Sequence, residues 1–508
     1  MRATTPSRSL AVPYLGVLAS LQLIDPTVAN TALVQAGRSL EMHGATMALA
    51  ASISTLAQAA TVLLMGFLAD RLGRLRVLIA SLLLAAVGGL LAASAPTAPL
   101  FLLGRALAGI GMGSVLAASF AAVRSVVRPE QLAQALGLWN LLIVVGFIGG
   151  SLLGGVLADS SWRLALALVP LLSLLCLLPL TSLLPPMPAN PALKADAPGL
   201  ISMAAAMVLL LLGVSHAVEG LDAPAFWAPT LAGIALFAVH IAIEQRRREP
   251  IFPVALYGRG CFAAAIVSGI GWNVAQSVVQ LQTSNFWQVV QRFSTSQVAL
   301  ASLPLLLCFG IGGTVVGSLM RPGRRTLQLM GGGSLMLVLG LGSLAGIRAD
   351  SSYTSLVPAL VLVGLGLAFV AVPQSGLFVQ EAPERYFGAV TAFRTTAGQL
   401  GYALGFAASG AMVNGFGFAS LRTRLLEQGV STEAIPGLVA QVRTFLSTGV
   451  LPTGSPKAFE TVIHQAYASG LAGTLLVVAT VVLLLGIISL LLLAIGLLQQ
   501  QLDRHAAA

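Results

Sequence analysis

Gly66-Phe67-Leu68-Ala69-Asp70-Arg71-Leu72-Gly73-Arg74-Leu75-Arg76 is a short charged turn set between two long apolar runs. An acid and three arginines cost too much to bury unpaired in hydrocarbon, so the turn belongs at a membrane surface and its flanks belong in the lipid. At that surface Asp70 can face the positive N-terminal end of a neighbouring helix, and Gly66 lets helices approach closely.

The rest of the chain repeats this alternation. Of 508 residues, 57% are apolar and 9% charged, with a mean hydropathy of +0.91, well outside the composition of a water-soluble domain. A span needs roughly 20 apolar residues to cross about 30 Å of hydrocarbon. Runs of that size predict fourteen helices, near 10–36, 45–69, 76–95, 98–123, 132–158, 162–184, 199–217, 226–243, 260–282, 298–319, 327–346, 354–374, 387–413 and 470–498. Pro96 and Pro99 frame the turn after the third, while Leu184-Pro185-Pro186-Met187-Pro188 and Arg246-Arg247-Arg248-Glu249-Pro250 mark longer polar connections. Arg2 and Arg8 precede a run too long for a signal-peptide core, so the sequence predicts that it stays as the first helix.

Positive loops resist translocation and remain cytoplasmic. With the N-terminus inside, the cytoplasmic segments collect Arg71, Arg74, Arg76, Arg124, Arg128, Lys194, Arg246, Arg247, Arg248, Arg259, Arg321, Arg324, Arg325 and Arg385. The short outer loops hold Arg38, Arg163, Arg292 and Arg348. An even number of crossings then returns the C-terminus to the cytoplasm, and the expected location is a bacterial-type inner membrane. The net charge of +10 is this bias. It is no nucleic-acid footprint, which needs basic clusters interleaved with aromatics on a solvated face. Cys176, Cys261 and Cys308 sit in apolar runs and match neither a disulfide framework nor a metal spacing. The stretch 414–469 is expected to be a long extracytoplasmic loop; Ile435 to Leu446 within it has amphipathic spacing, compatible with a short interfacial helix or with a solvated loop.

Several groups are costly enough in lipid to be informative. Asp25, in Leu23-Ile24-Asp25-Pro26-Thr27-Val28-Ala29-Asn30-Thr31-Ala32-Leu33, lies near mid-membrane, where an ionised carboxyl costs roughly 2.5 to 3.5 kcal/mol without a partner. Such a carboxyl suits proton binding and release, and Pro26 frees a backbone carbonyl beside it. Rise counting from opposite ends puts Arg105 of the fourth helix at a similar depth, so the two can pair, either as a static ion pair or as a switch. Gly146, Gly150 and Gly154 recur every four residues and form a smooth ridge for helix packing. Trp272, Asn273, Gln276, Ser277 and Gln280 form a polar stripe on the ninth helix that must face the bundle or a wet cavity, with interhelical hydrogen bonding as the plainer use. Arg394 either meets an anionic group or snorkels towards the cytoplasm. His216, Glu219 and His240 read as interfacial.

The charged turn 66–76 closely resembles the loop 2–3 signature of the major facilitator superfamily. The run 23–33 and Arg105-Ala106-Leu107-Ala108-Gly109-Ile110-Gly111-Met112-Gly113 are similar to motifs of its 14-helix drug:proton antiporter-2 family, with Ala108 where that family has glutamine. Gly146 to Gly155 resembles the antiporter signature, with Gly150-Ser151 in place of a Gly-Pro pair. Phe393-Arg394-Thr395-Thr396-Ala397-Gly398-Gln399-Leu400-Gly401 resembles the helix 13 pattern, and Gly317 to Arg325 looks like a decayed copy of the 66–76 turn, with Arg321 in the acid's place.

This resemblance implies an all-α integral membrane protein of major facilitator fold, with two six-helix halves plus two inserted helices. The halves would be 1–184 and 260–508, and 185–259 would be a linker carrying helices 7 and 8. It implies alternating access and export of a small amphipathic compound or drug by proton antiport. Asp25 and Arg105 would couple protons; Gly66, Asp70, Arg71, Gly73 and Arg74 would gate, with Asp70 against the start of helix 13 near Gly388. The cargo would meet Asn30, Trp272, Asn273, Gln276, Gln280 and Arg394. The expected partners are a small-molecule substrate, protons and the lipid bilayer, with the protein acting as a monomer. No cofactor and no metal are expected, and the proton gradient is the energy source, since no phosphate-cradling Gly-Lys-Ser/Thr loop is present. Import of a metabolite or siderophore is compatible with the same fold. An intramembrane enzyme would need convergent His, Asp, Ser or Cys groups, which the sequence does not offer.

Overall fold

The computed structural model describes residues 10–42, 44–184, 189, 197–216, 224–247, 254–320, 324–383, 387–427, 430–432, 434–439, 442 and 457–507. Their regular structure is helical, with no strand among the described residues. In chain order the helices are α1 (Ala11–Ser39), α2 (Gly44–Leu72), α3 (Arg74–Ser94), α4 (Ala98–Val126), α5 (Leu132–Ser160), α6 (Trp162–Leu183), α7 (Ala197–Ser215) and α8 (Pro224–Arg246). They continue with α9 (Gly260–Val289), α10 (Thr295–Ala301), α11 (Leu303–Leu319), α12 (Arg324–Leu344), α13 (Tyr353–Glu381), α14 (Phe387–Glu427) and α15 (Lys457–Ala507).

Each of the fourteen predicted spans falls on a helix, the tenth being divided into α10 and α11 by a break at Ser302. Among the described residues eleven helices are long and apolar enough to cross a membrane, and α2 makes a twelfth although it bends by 47° between Val62 and Leu64. The other two predicted spans, the seventh and the tenth, have shorter apolar stretches at Pro198–Val214 in α7 and Leu303–Leu319 in α11.

In a first group, α1 to α6, α1 packs on α4, α5 and α6, and α4 packs on α2 and α3. In the second, α9 packs on α13, α14 and α15, while α12 lies against α13 and α15. The two groups meet where α5 lies on α11 and where α2 and α4 lie on α14; α7 pairs with α8 and touches α2 and α14. Large apolar side chains such as Val87, Val156, Leu178, Ile201 and Leu491 point outward and are exposed, as a lipid solvent requires, whereas small residues dominate the helix contacts.

The ridge at Gly146, Gly150 and Gly154 lies on α1, where Cβ atoms at the three positions would press within 3.0 Å of Ser20, Ile24 and Val28 in turn. Both sets repeat every four residues, so one face of α1 is fixed along about two turns of α5. Gly73 ends α2 with φ 94°, a left-handed backbone that glycine adopts at low cost, and this allows α3 to start one residue later.

The expected long loop 414–469 is a point of correction. α14 runs on to Glu427 and α15 begins at Lys457. Hydropathy ends where lipid contact ends, but a helix continues as long as its backbone bonds and side contacts hold. Here Arg424 donates to Gln465 Oε1 at 2.9 Å and to Ser469 Oγ at 3.4 Å across the two extensions. Leu421, Leu425, Ile435, Val442, Val462, Ile463 and Ala466 form a small apolar cluster beneath them. Residues 435–439 are helical, which settles the described part of the amphipathic stretch; 443–446 lie outside the described residues.

Candidate functional site

With Ile24 seated over Gly150, the next residue along α1 turns about 100° round the helix, towards α4. Arg105 meets Asp25 there as a two-pronged pair, Nη1 to Oδ1 at 2.8 Å and Nη2 to Oδ2 at 3.0 Å. Ser54 of α2 adds a third donor to Oδ2 at 3.2 Å. Asp25 is 5% exposed and Arg105 3%, so the pair is cut off from solvent and each charge depends on the other. Two in-plane bonds between guanidinium and carboxylate fix orientation as well as charge.

Ser54 reaches Asp25 because of what α4 lacks. Arg105, Gly109 and Gly113 are spaced by four and share one stripe. A Cβ on Gly109 would fall within 3.0 Å of the Ser54 carbonyl oxygen, and one on Gly113 would lie 3.1 Å from Gln58 Cα. The bare stripe brings α2 onto α4, and the opposite face of α4 uses Gly104 and Gly111 in the same way against Ala92 and Ala85 of α3.

One turn towards the N-terminal end of α1 from Asp25 lies a chain of three amides. The backbone N–H of Leu116 donates to Gln22 Oε1 at 3.1 Å, Gln22 Nε2 donates to Gln58 Oε1 at 3.2 Å, and Gln399 Nε2 of α14 donates to the same oxygen at 3.3 Å. This chain joins α1, α2 and α4 to α14. Sequence reasoning missed Gln22, Ser54, Gln58 and Gln399, although Gln22 stands three residues before Asp25, and Ser54 and Gln58 share a face of α2.

The other expected site residues divide. Arg394 donates to Ser375 Oγ of α13 at 2.7 Å, and its Cζ lies 4.3 Å from the centroid of the Phe120 ring of α4. Its described partners are thus a hydroxyl of α13 and an aromatic face of α4. In the α9 stripe Asn273 and Ser277 are buried against α14, next to Gly398, Gly401 and Gly405. Asn273 Nδ2 donates to the Gly269 carbonyl of its own helix at 2.7 Å, so its amide satisfies a local carbonyl in a packing seam. Trp272, Gln276 and Gln280 are half-buried; Trp272 packs on Phe309, and Gln280 Oε1 accepts from Tyr402 at 3.3 Å. The Asn30 side chain lies outside the described residues.

At the charged turn, Arg74 Nη2 meets Asp70 Oδ1 at 3.3 Å and Nη1 donates to Ser125 at the end of α4 at 2.8 Å. These contacts link the turn to the end of α4. Gly66 is buried and Arg71 half-buried. The side chain at position 388 and the whole of Arg321 lie outside the described residues, as does Glu219. His216 Nδ1 lies 2.8 Å from the Leu212 carbonyl. His240 is buried, with Nδ1 3.1 Å from Ser202 Oγ of α7, a bond that joins α7 to α8. No group of three His, Cys, Asp or Glu side chains that could hold a metal occurs among the described residues.

Long apolar helices, outward-facing aliphatic side chains and a dry ion pair at the centre of one bundle define a polytopic membrane transporter. The sequence profile of the Major Facilitator Superfamily matches residues 15–406, and the chain belongs to that family. It is 26% identical over 422 residues to puromycin resistance protein pur8 of Streptomyces alboniger, covering 82% of each chain. Against multidrug efflux pump LfrA of Mycolicibacterium smegmatis it is 25% identical over 489 residues, covering 94% of this chain and 95% of the relative. The crystal structure of the human organic anion transporter MFSD10 superposes with a TM-score of 0.57 at 17% identity, covering 94% of this chain and all of that one, a likeness of fold.

Proposed function

We propose that the chain crosses the inner membrane fourteen times with both termini in the cytoplasm, and exports drug-sized amphipathic compounds in exchange for protons. The observation that carries this reading is the Asp25–Arg105 pair, dry and doubly bonded in the first bundle. A proton taken up by the Asp25 carboxylate converts an ion pair into a charge facing a neutral acid. That loss of attraction frees Arg105 and α4 to shift relative to α1, and the return of the proton to the other side restores the pair. The curated relatives named for drug resistance and efflux support the direction and the cargo class. The protein works as a monomer, without cofactor, on the proton gradient.

The two halves, 1–184 and 260–508, rock about the site in this scheme, with α7 and α8 as the insertion. Proteoliposomes carrying an imposed pH gradient test it. Wild-type protein is expected to drive puromycin or ethidium against its gradient, and Asp25→Asn to abolish the dependence on pH difference. Flux in Asp25→Asn that still follows the imposed gradient would overturn the role of this carboxylate.

A further inference from the structure

The amide chain beside the ion pair has a fixed polarity. A backbone N–H can only donate, so Leu116 forces Gln22 to present its oxygen there and its nitrogen to Gln58. Gln58 must then present its oxygen, and Gln399 its nitrogen. This ordering leaves Gln58 Nε2, a donor, and Gln399 Oε1, an acceptor, both buried and without a partner among the described residues. Gln58 is 3% exposed and Gln22 also 3%. A buried polar atom without a partner carries the full cost of its desolvation, and here the two occur side by side on α2 and α14, where the halves meet. One is a donor and the other an acceptor, from opposite halves.

We propose that Gln58 and Gln399 form a recognition subsite for the amide group of a neutral amphipathic cargo, its carbonyl accepting from Gln58 Nε2 and its N–H donating to Gln399 Oε1. Gln22 positions Gln58 and makes no contact with the cargo. The inference rests on the export reading for its cargo class and names the chemistry that class must carry. Because the subsite draws one group from each half, cargo bound there spans the interface that alternating access must open. A site built to pair with both an N–H and a carbonyl discriminates against an analogue lacking one of them, since a buried partner is then left unmatched.

The test uses the full chain in lipid nanodiscs and two matched probes. 4-Octylbenzamide carries carbonyl and N–H; methyl 4-octylbenzoate carries the carbonyl alone. The amide is expected to bind about tenfold or more tightly than the ester. Gln58→Met and Gln399→Met are each expected to bring the two affinities to within about twofold of one another, and Gln22→Met to reduce the preference. Gln288→Met, an exposed position on α9, should keep it. Equal binding of the two probes to the native chain, as when water alone fills the site, overturns the proposal; so does a preference that survives both variants. Should a variant fail to reach the membrane, the native ratio decides. Failure of the export reading is separately visible, as absence of gradient-driven puromycin or ethidium flux in native proteoliposomes whatever the binding ratio.

Discussion

Arg394 of α14 rests on the Phe120 ring of α4 with Cζ 4.3 Å from the ring centroid, a cation from one bundle on an aromatic of the other. Phe120 is in turn held edge-on by Trp139, with centroids 5.4 Å apart. A desolvated cation–π contact contributes about 2 kcal/mol, so a state that contains it is favoured about 30-fold over one that does not. Phe120→Leu is expected to lower the population in which α4 and α14 touch. Spin labels at Arg128→Cys and Gln380→Cys, with the three native cysteines replaced, should show a larger share of long distances. An unchanged distance distribution would show that the contact does not bias the halves.

The α1–α5 seam gives a test of packing alone. Gly150→Ala should destabilise by about 1–3 kcal/mol, because its methyl enters the space of Ile24. Gly149→Ala and Gly155→Ala add a methyl with nothing within 4 Å and should leave thermal unfolding in detergent unchanged. Trimming the obstacle with Ile24→Ala should recover part of the loss in Gly150→Ala. Equal effects at positions 149 and 150 would refute the seam.

Gly109 and Gly113 differ in a way that separates the site from the scaffold. A Cβ at Gly109 strikes backbone, the Ser54 carbonyl, whereas at Gly113 the nearest backbone atoms stand at 3.1 Å. Gly109→Ala is therefore expected to push α2 away and break the Ser54 bond to Asp25, reducing gradient-driven flux about tenfold, the effect of losing one hydrogen bond to a charge. Gly113→Ala should cost less. Initial flux rates in proteoliposomes with equal protein content measure both.

How far the residues announced this arrangement depends on how scarce each type is in lipid. Asp25 and Arg105 stand out because an acid and a base within apolar runs demand partners, and their depths follow from counting. The glycine ridge announces itself by its four-residue period. Ser54 and Gln58 do not: within Ala51-Ser52-Ile53-Ser54-Thr55-Leu56-Ala57-Gln58 several polar residues are equivalent in sequence, and only the approach of α2 to Gly109 and Gly113 selects two of them. Asn273 is ambiguous for the same reason, since a polar stripe can face a cavity or a glycine seam. The ends of α14 and α15 were hidden because hydropathy tracks lipid and not backbone bonding.

The Asp25–Arg105 pair can be asked whether it holds the fold or moves the cargo, because the two roles respond differently to removing one charge and to removing both. A single substitution, Arg105→Met, strands a buried carboxylate, and breaking such a pair costs about 3–5 kcal/mol. Removing both charges with Asp25→Leu and Arg105→Met leaves nothing unpaired, and replacement of a buried pair by apolar groups is often neutral or stabilising. Thermal unfolding should therefore fall in Arg105→Met and return to near the native midpoint in the double variant. Gradient-driven flux should be lost in both: in Arg105→Met the Asp25 carboxyl has no cation whose hold a proton could release, and in the double variant no carboxyl remains to take up the proton. Recovery of flux along with stability in the double variant would assign the pair to the scaffold alone.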